Sequence, residues 1–247
     1  TGAPAAALAA AAAAVQDATA NPKRWQACIQ HADISMCFGG REFADVLLPL
    51  VAAAESGISE LGLNEESDEN VPDEFSGCPQ MYISVREDKS DIILKSICER
   101  WDLSVSEFRD EFFKVDVAVV LRGAVSEWPA VVRWKIPKYL LKMCGHRTVP
   151  VEISHTRGSE GEDCLDVDHG SIEERVVTCR ELLASMNPSS TSQGERQKMY
   201  LAQHPLFDFV PSLISDFSIP EFVHAGCTSK SEVLMNVWFG SVGTGTR

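Results

Sequence analysis

Two stretches of this sequence set metal-binding residue types close together. "DVDHG" brings Asp166, Asp168 and His169 within four positions, two carboxylates and an imidazole, which are donors that divalent metals accept. "QHPLFD" sets His204 and Asp208 four positions apart, the spacing of one helix face. Neither set suits its surroundings. The first lies in "SEGEDCLDVDHGSIEE", an acidic run with glycines, which has the composition of a solvated surface loop. In the second, Pro205 stands between the two side chains and interrupts the helix that would align them. Eight cysteines are scattered with no C-x-x-C pair, which argues against a zinc site and for reduced thiols in an intracellular protein.

The elements that must position any site begin after an alanine-rich leader, residues 1–24. Residues 25–103 read as a mostly helical region with an acidic linker. In "REFADVLLPLVAAAESGI", Phe43, Leu47, Leu50 and Val51 recur at helical spacing, with Pro49 as a kink and Gly57 near a stop. "MYISV" reads as a short strand and "DIILKSICERW" as a short helix or strand. Ser104 with Glu107, and Thr178 with Glu181, form capping boxes. "VAVVLRG" reads as a buried strand, "IPKYLLKMCG" as a helix ended by Gly145, and "TVPVEIS" as another strand. Near the C-terminus, Asn236, Val237, Trp238 and Phe239 read as a further buried strand. A glycine loop follows it, and the chain is expected to stop in mid-fold. Strands of this length mixed with short helices predict an α+β fold.

Bulk properties limit the function classes. Hydrophobic content is 45% and net charge is −14, enough apolar residues for a core and the wrong sign for direct nucleic-acid binding. The sequence has no apolar run of the roughly 20 residues a membrane span needs. A basic protein partner remains compatible with the charge.

"VAVVLRGAVSEWPAVVRW", "YLLKMCGHRTVPVEIS", "MYLAQHPLFDFVPSLISDFSIPEF" and "NVWFGSVGTGTR" occur in the order found in Jumonji-C (JmjC) oxygenases. From residue 104 to 247 the chain resembles that family, in a subgroup associated with arginyl hydroxylation. The resemblance implies N-terminal helices followed by the first part of a double-stranded β-helix, a cupin-like jelly roll left incomplete in this chain. It implies Fe(II), 2-oxoglutarate and O₂, with the two-His-one-carboxylate iron ligands expected beyond Arg247. No metal ligand and no catalytic residue is expected within the chain.

By the same resemblance, Tyr200 and Thr246 donate hydroxyl hydrogen bonds to the far carboxylate of 2-oxoglutarate. Glu152 and Trp238 line the pocket for a basic side chain, supported by Gln203 and Asn236. A carboxylate and an indole face can hold a guanidinium or an ammonium. Read without the family, Tyr200 is an ordinary core tyrosine, and Glu152 and Trp238 are an edge carboxylate and a sheet tryptophan. His146 and Arg147, in "GHRTVPVE", are expected to orient the adjoining strand. The implied function is hydroxylation of a protein side chain, arginine first. Histone lysine demethylation and a non-catalytic JmjC-like binding module are the alternatives. A histone tail or ribosomal protein is the implied partner, in the nucleus or cytoplasm.

Overall fold

The computed structural model describes residues 22–39, 44–60, 70–73, 75, 97–156, 173–187, 196–226 and 233–240. Thr246, "DVDHG" and "MYISV" lie outside them. By contacts the chain forms two compact units. One comprises Thr1–Ser76, Ile136–Ser212 and Asn236–Arg247, and the other Gly77–Lys135 and Leu213–Met235.

The first unit holds two long helices, α1 (Pro22–Gly39) and α2 (Ala44–Glu60), which pack on one another. It also holds the short helices α3 (Pro137–Cys144) and α4 (Cys179–Ser185). An antiparallel sheet of β3 (Thr148–Thr156), β4 (Glu173–Thr178), β5 (Arg196–His204) and β6 (Val237–Gly240) runs in the order β4-β3-β5-β6. Together these are a mixed α+β fold.

One sheet face is core. Val149, Val151 and Ile153 alternate along β3 and are fully buried, with Leu201 of β5 beside them. Helix α1 packs against both α2 and β3 and buries Cys28, Ile29, Ala32 and Met36, of which side chains the size of Ile29 and Met36 contribute about 1.5–3 kcal/mol each on burial. One acid interrupts the stripe. Asp33 is fully buried and receives the Arg147 guanidinium, with Nε 3.1 Å from each carboxylate oxygen and Nη2 2.5 Å from Oδ1. The Thr148 amide donates to Oδ2 at 2.8 Å. The start of β3 is therefore tied to α1 by charge as well as by packing.

The second unit is smaller. Strands β1 (Cys98–Trp101) and β2 (Val119–Arg122) pair in parallel. The Ser104 capping box forms as expected and leads into a π-helical turn, Phe108–Phe113. Asp216, fully buried, accepts from Arg133 at 2.6 Å and from the Trp134 indole at 2.8 Å.

Several local expectations change. The segment around "VAVVLRG" is not a buried strand: Val117 is exposed and β2 is only half covered, because a two-stranded pair offers no second layer. Gly57 does not stop α2, which continues to Glu60. Glycine is needed there because a Cβ would lie 2.8 Å from the Trp25 ring. Gly145 does end α3, but in right-handed conformation, where a Cβ would meet the Leu141 carbonyl oxygen at 2.3 Å. Close approach, rather than a left-handed cap, selects the glycine. The last two residues of the acidic run, Glu173 and Glu174, belong to β4 instead of a loop.

Candidate functional site

The site is built on the sheet face opposite the core. Register places Glu152 of β3 directly across from Tyr200 of β5, and Tyr200 across from Gly240 of β6. Directly opposed residues share a face, and alternation along β6 puts Trp238 on that face as well. Three of the expected residues, Glu152, Tyr200 and Trp238, are thus brought together by adjacent strands. On the other side of β3, Glu174 of β4 stands across from Glu152. The row reads Glu174, Glu152, Tyr200, Gly240 across four strands.

Burial differs sharply along this row. The Tyr200 side chain is 6% exposed, Glu152 is half-buried, and Trp238 is 48% exposed. Trp238 is therefore not the buried sheet residue expected from "NVWF". Its indole offers an open face to solvent. Burial, and then the neighbouring Glu152 carboxylate, push the Tyr200 phenol above its usual pKa. The phenol stays protonated at neutral pH and can act as a hydrogen-bond donor. A phenol donor fits an acceptor such as a carboxylate, although the adjacent Glu152 charge opposes an anion there. Lys198 lies on the same face, two positions before Tyr200 and across from Ser154. It is a cation that sequence reasoning missed, and its alternation with Tyr200 was the available signal.

Gln203 and Asn236 sit beyond this cluster. Gln203 is exposed and adopts a left-handed φ of 48° at a register shift between Leu201 and His204. This is a β-bulge. Asn236 is half-buried immediately before β6.

The bulge decides the fate of His204. Leu201 pairs with Phe239 and His204 with Val237, so both point to the core face although they are three residues apart. Without the extra residue, alternation would send His204 to the open face. Instead it is 4% exposed, packs on the Phe209 ring at 4.6 Å between centroids, and leaves both ring nitrogens without a partner. Burial pushes its pKa down to about 4, with the Arg147 charge adding to the shift and Asp208 opposing it.

Among the described residues no group of three or more His, Cys, Asp or Glu side chains is placed to hold a metal ion. Chemically, this face offers a carboxylate, an indole and a phenol able to donate a hydrogen bond.

The cupin-like domain family matches residues 105–247. The chain is 33% identical over 141 residues to "Lysine-specific demethylase 8" of Xenopus tropicalis, covering 57% of this chain and 28% of that protein. To "Lysine-specific demethylase JMJ30" of Arabidopsis thaliana it is 33% identical over 152 residues, covering 62% and 32%. To "Jumonji C domain-containing protein 5" of Drosophila melanogaster it is 31% identical over 146 residues, covering 57% and 33%. The chain spans about a third of the length of these curated relatives. With more than half of its residues matched, the chain belongs to the cupin-like domain family and stands there with the Jumonji-C proteins.

Proposed function

We propose that this protein takes part in Fe(II)- and 2-oxoglutarate-dependent oxidation of a basic protein side chain. Removal of a methyl group from lysine is the favoured reaction. The observation that carries the reading is the shared face of Glu152, Tyr200 and Trp238 on three adjacent strands, within a chain of the cupin-like family. The resemblance to a JmjC subgroup first pointed to arginine hydroxylation. The names of two relatives speak of lysine demethylation, and they move the reading toward it.

In this scheme the Trp238 indole and the Glu152 carboxylate hold the alkylated ammonium, which keeps its positive charge on methylation. Holding the nitrogen fixes the methyl carbon at one distance from the oxidising centre, and that positioning is the protein's main catalytic contribution. The Tyr200 hydroxyl donates to the far carboxylate of 2-oxoglutarate, and Thr246 is the expected second donor. Bound Fe(II) and 2-oxoglutarate would supply the oxidation: the keto acid would lose CO₂ and take one oxygen atom of O₂ to become succinate, the other atom would hydroxylate the methyl carbon, and that carbon would leave as formaldehyde with N–H restored. The substrate would be a basic segment such as a histone tail, met in the nucleus or cytoplasm.

The test is mass spectrometry of peptides carrying methylated lysine or unmodified arginine, after incubation with Fe(II), 2-oxoglutarate, O₂ and a form of the protein that carries the iron ligands expected beyond Arg247; residues 1–247 alone are expected to give no turnover. Loss of a methyl group supports demethylation, and gain of one oxygen on arginine supports the other outcome. Independently of turnover, Tyr200→Phe is expected to weaken 2-oxoglutarate binding about tenfold in a calorimetric titration, the worth of one hydrogen bond to a charged acceptor. Unchanged affinity would remove Tyr200 from the cosubstrate site.

A further inference from the structure

We propose that Cys144 and Cys179 form a redox modification site, a reversible disulfide that a peroxide closes between the end of α3 and the start of α4. The inference is independent of the reading of the open sheet face and uses none of its residues.

The fold brings these two thiols together from distant parts of the chain. Cys144 is the last residue of α3, and Cys179 is the first of α4. Two backbone hydrogen bonds join the chain segments here. The Arg180 amide donates to the Gly145 carbonyl oxygen at 3.1 Å, and the Cys179 amide donates to that of Arg147 at 2.8 Å. Next to them, Thr148 and Thr178 face one another at the end of the β3–β4 ladder. Both thiols are buried, Cys144 being 5% and Cys179 4% exposed, and they share a hydrogen bond. Cys144 Sγ also donates to the Leu140 carbonyl oxygen at 3.1 Å. The hydrogen bond to Cys144, and then burial, hold the Cys179 thiol well above its ordinary pKa. The other free cysteines among the described residues, Cys28, Cys37 and Cys98, lie on α1 and β1.

Burial sets the rate of oxidation here, and contact sets the product. A buried, protonated thiol reacts slowly, so the oxidant reaches the pair when the helix ends open locally. Helix α3 has eight residues and α4 seven, too few to hold their shape without packing. Once one thiol is oxidised, its partner is already in place. In the first step one sulfur attacks the O–O bond of hydrogen peroxide and becomes a sulfenic acid, and its proton leaves with the released hydroxide as water. In the second step the other sulfur attacks the sulfenic sulfur and the S–S bond forms. The sulfenic hydroxyl then leaves with the remaining thiol proton as a second water. Each sulfur gives up one electron, and one peroxide is reduced to two waters. The closed bond staples α3 to α4 beside the start of β3, and a dithiol reductant reopens it.

The experiment treats the protein with hydrogen peroxide, quenches the oxidant, unfolds the chain in an alkylating reagent and maps the peptides by mass spectrometry. The expected product is one cross-linked pair of peptides carrying Cys144 and Cys179. It is lighter by two hydrogen atoms than the two peptides together, and dithiothreitol separates it. The pair should form while Cys28, which is fully buried, is still recovered as an alkylated thiol. Cys98 is exposed, and its oxidation reports that the peroxide was active. Oxidation should also raise the midpoint of urea unfolding, because the cross-link restrains the unfolded chain. Cys144→Ser and Cys179→Ser should each abolish that rise. If either variant fails to fold, the peptide map of the parent still decides. Recovery of both residues as alkylated thiols after Cys98 has been oxidised overturns the proposal. So does their conversion to separate sulfinic acids, or the pairing of either with a different cysteine.

Discussion

Asp33→Ala is expected to lower the unfolding free energy by about 3–5 kcal/mol, the range for removing one partner of a buried ion pair. The size follows from what is left behind. The Arg147 side chain is 1% exposed, so its guanidinium would lose the carboxylate that neutralises it and gain no water in exchange. Its remaining acceptors are the Phe209 carbonyl oxygen and Glu55 Oε1 at 3.3 Å, and they cannot replace the three contacts to Asp33. The Thr148 amide would also lose its acceptor. Against a typical total of about 5–15 kcal/mol, such a loss threatens the fold itself. Urea unfolding followed by circular dichroism measures it. A loss under about 1 kcal/mol would show that water or a neighbouring group replaces the carboxylate. A second variant separates charge from packing. Asp33→Leu combined with Arg147→Met should recover much of the loss, because removing both charges leaves nothing buried and unpaired. The consequence reaches the site, since Arg147 and Thr148 begin the strand that carries Glu152.

Acid should destabilise the protein through His204. The sign follows from its two pKa values. In the unfolded chain the imidazole titrates near its ordinary value of 6.5, and in the folded state it is pushed down to about 4. The neutral ring is the form the core accepts, so its contribution is fully present above pH 6.5 and is lost as pH falls toward 4. The difference amounts to about 3 kcal/mol, at 1.36 kcal/mol per pKa unit. Glu55 adds to the same trend. Burial pushes its carboxylate up, but hydrogen bonds and charge from His146 and Arg147 outweigh burial and hold it below the usual range. Its stabilisation is likewise lost as pH falls. Chemical unfolding at a series of pH values isolates the histidine. His204→Phe keeps the ring packing against Phe209 and removes the titration, so its stability should vary much less between pH 6.5 and 4. A variant as acid-sensitive as the parent would assign the effect to other groups.

How much of this was legible from the residues depended on distance along the chain. The capping boxes at Ser104 and Thr178 formed as read, because each needs only four consecutive residues and a hydroxyl that outcompetes water for an amide. "TVPVEIS" was read as a strand and forms β3. By resemblance, the motifs "TVPVE", "YLAQH" and "NVWFG" assigned roles to Glu152, Tyr200 and Trp238, and the structure puts these three on one sheet face. Glu174 was hidden by the acidic composition of the run before it. In the structure, hydrogen bonding to β3 draws it into a strand. Gly57 looked like a helix stop because glycine has two uses, and only the nearby Trp25 ring shows which one applies.

The order of residues alone determined the two capping boxes, the strand at "TVPVEIS" and membership in a family. Tertiary structure alone decided which side chains meet. Asp33 and Arg147 are 114 positions apart, and no local pattern pairs them. A single extra residue in β5 turned His204 into the core, and the β3–β4 register set two carboxylates face to face. Local preferences depend on a few neighbouring dihedral angles, whereas register and long-range pairing depend on how all the buried surfaces fit at once.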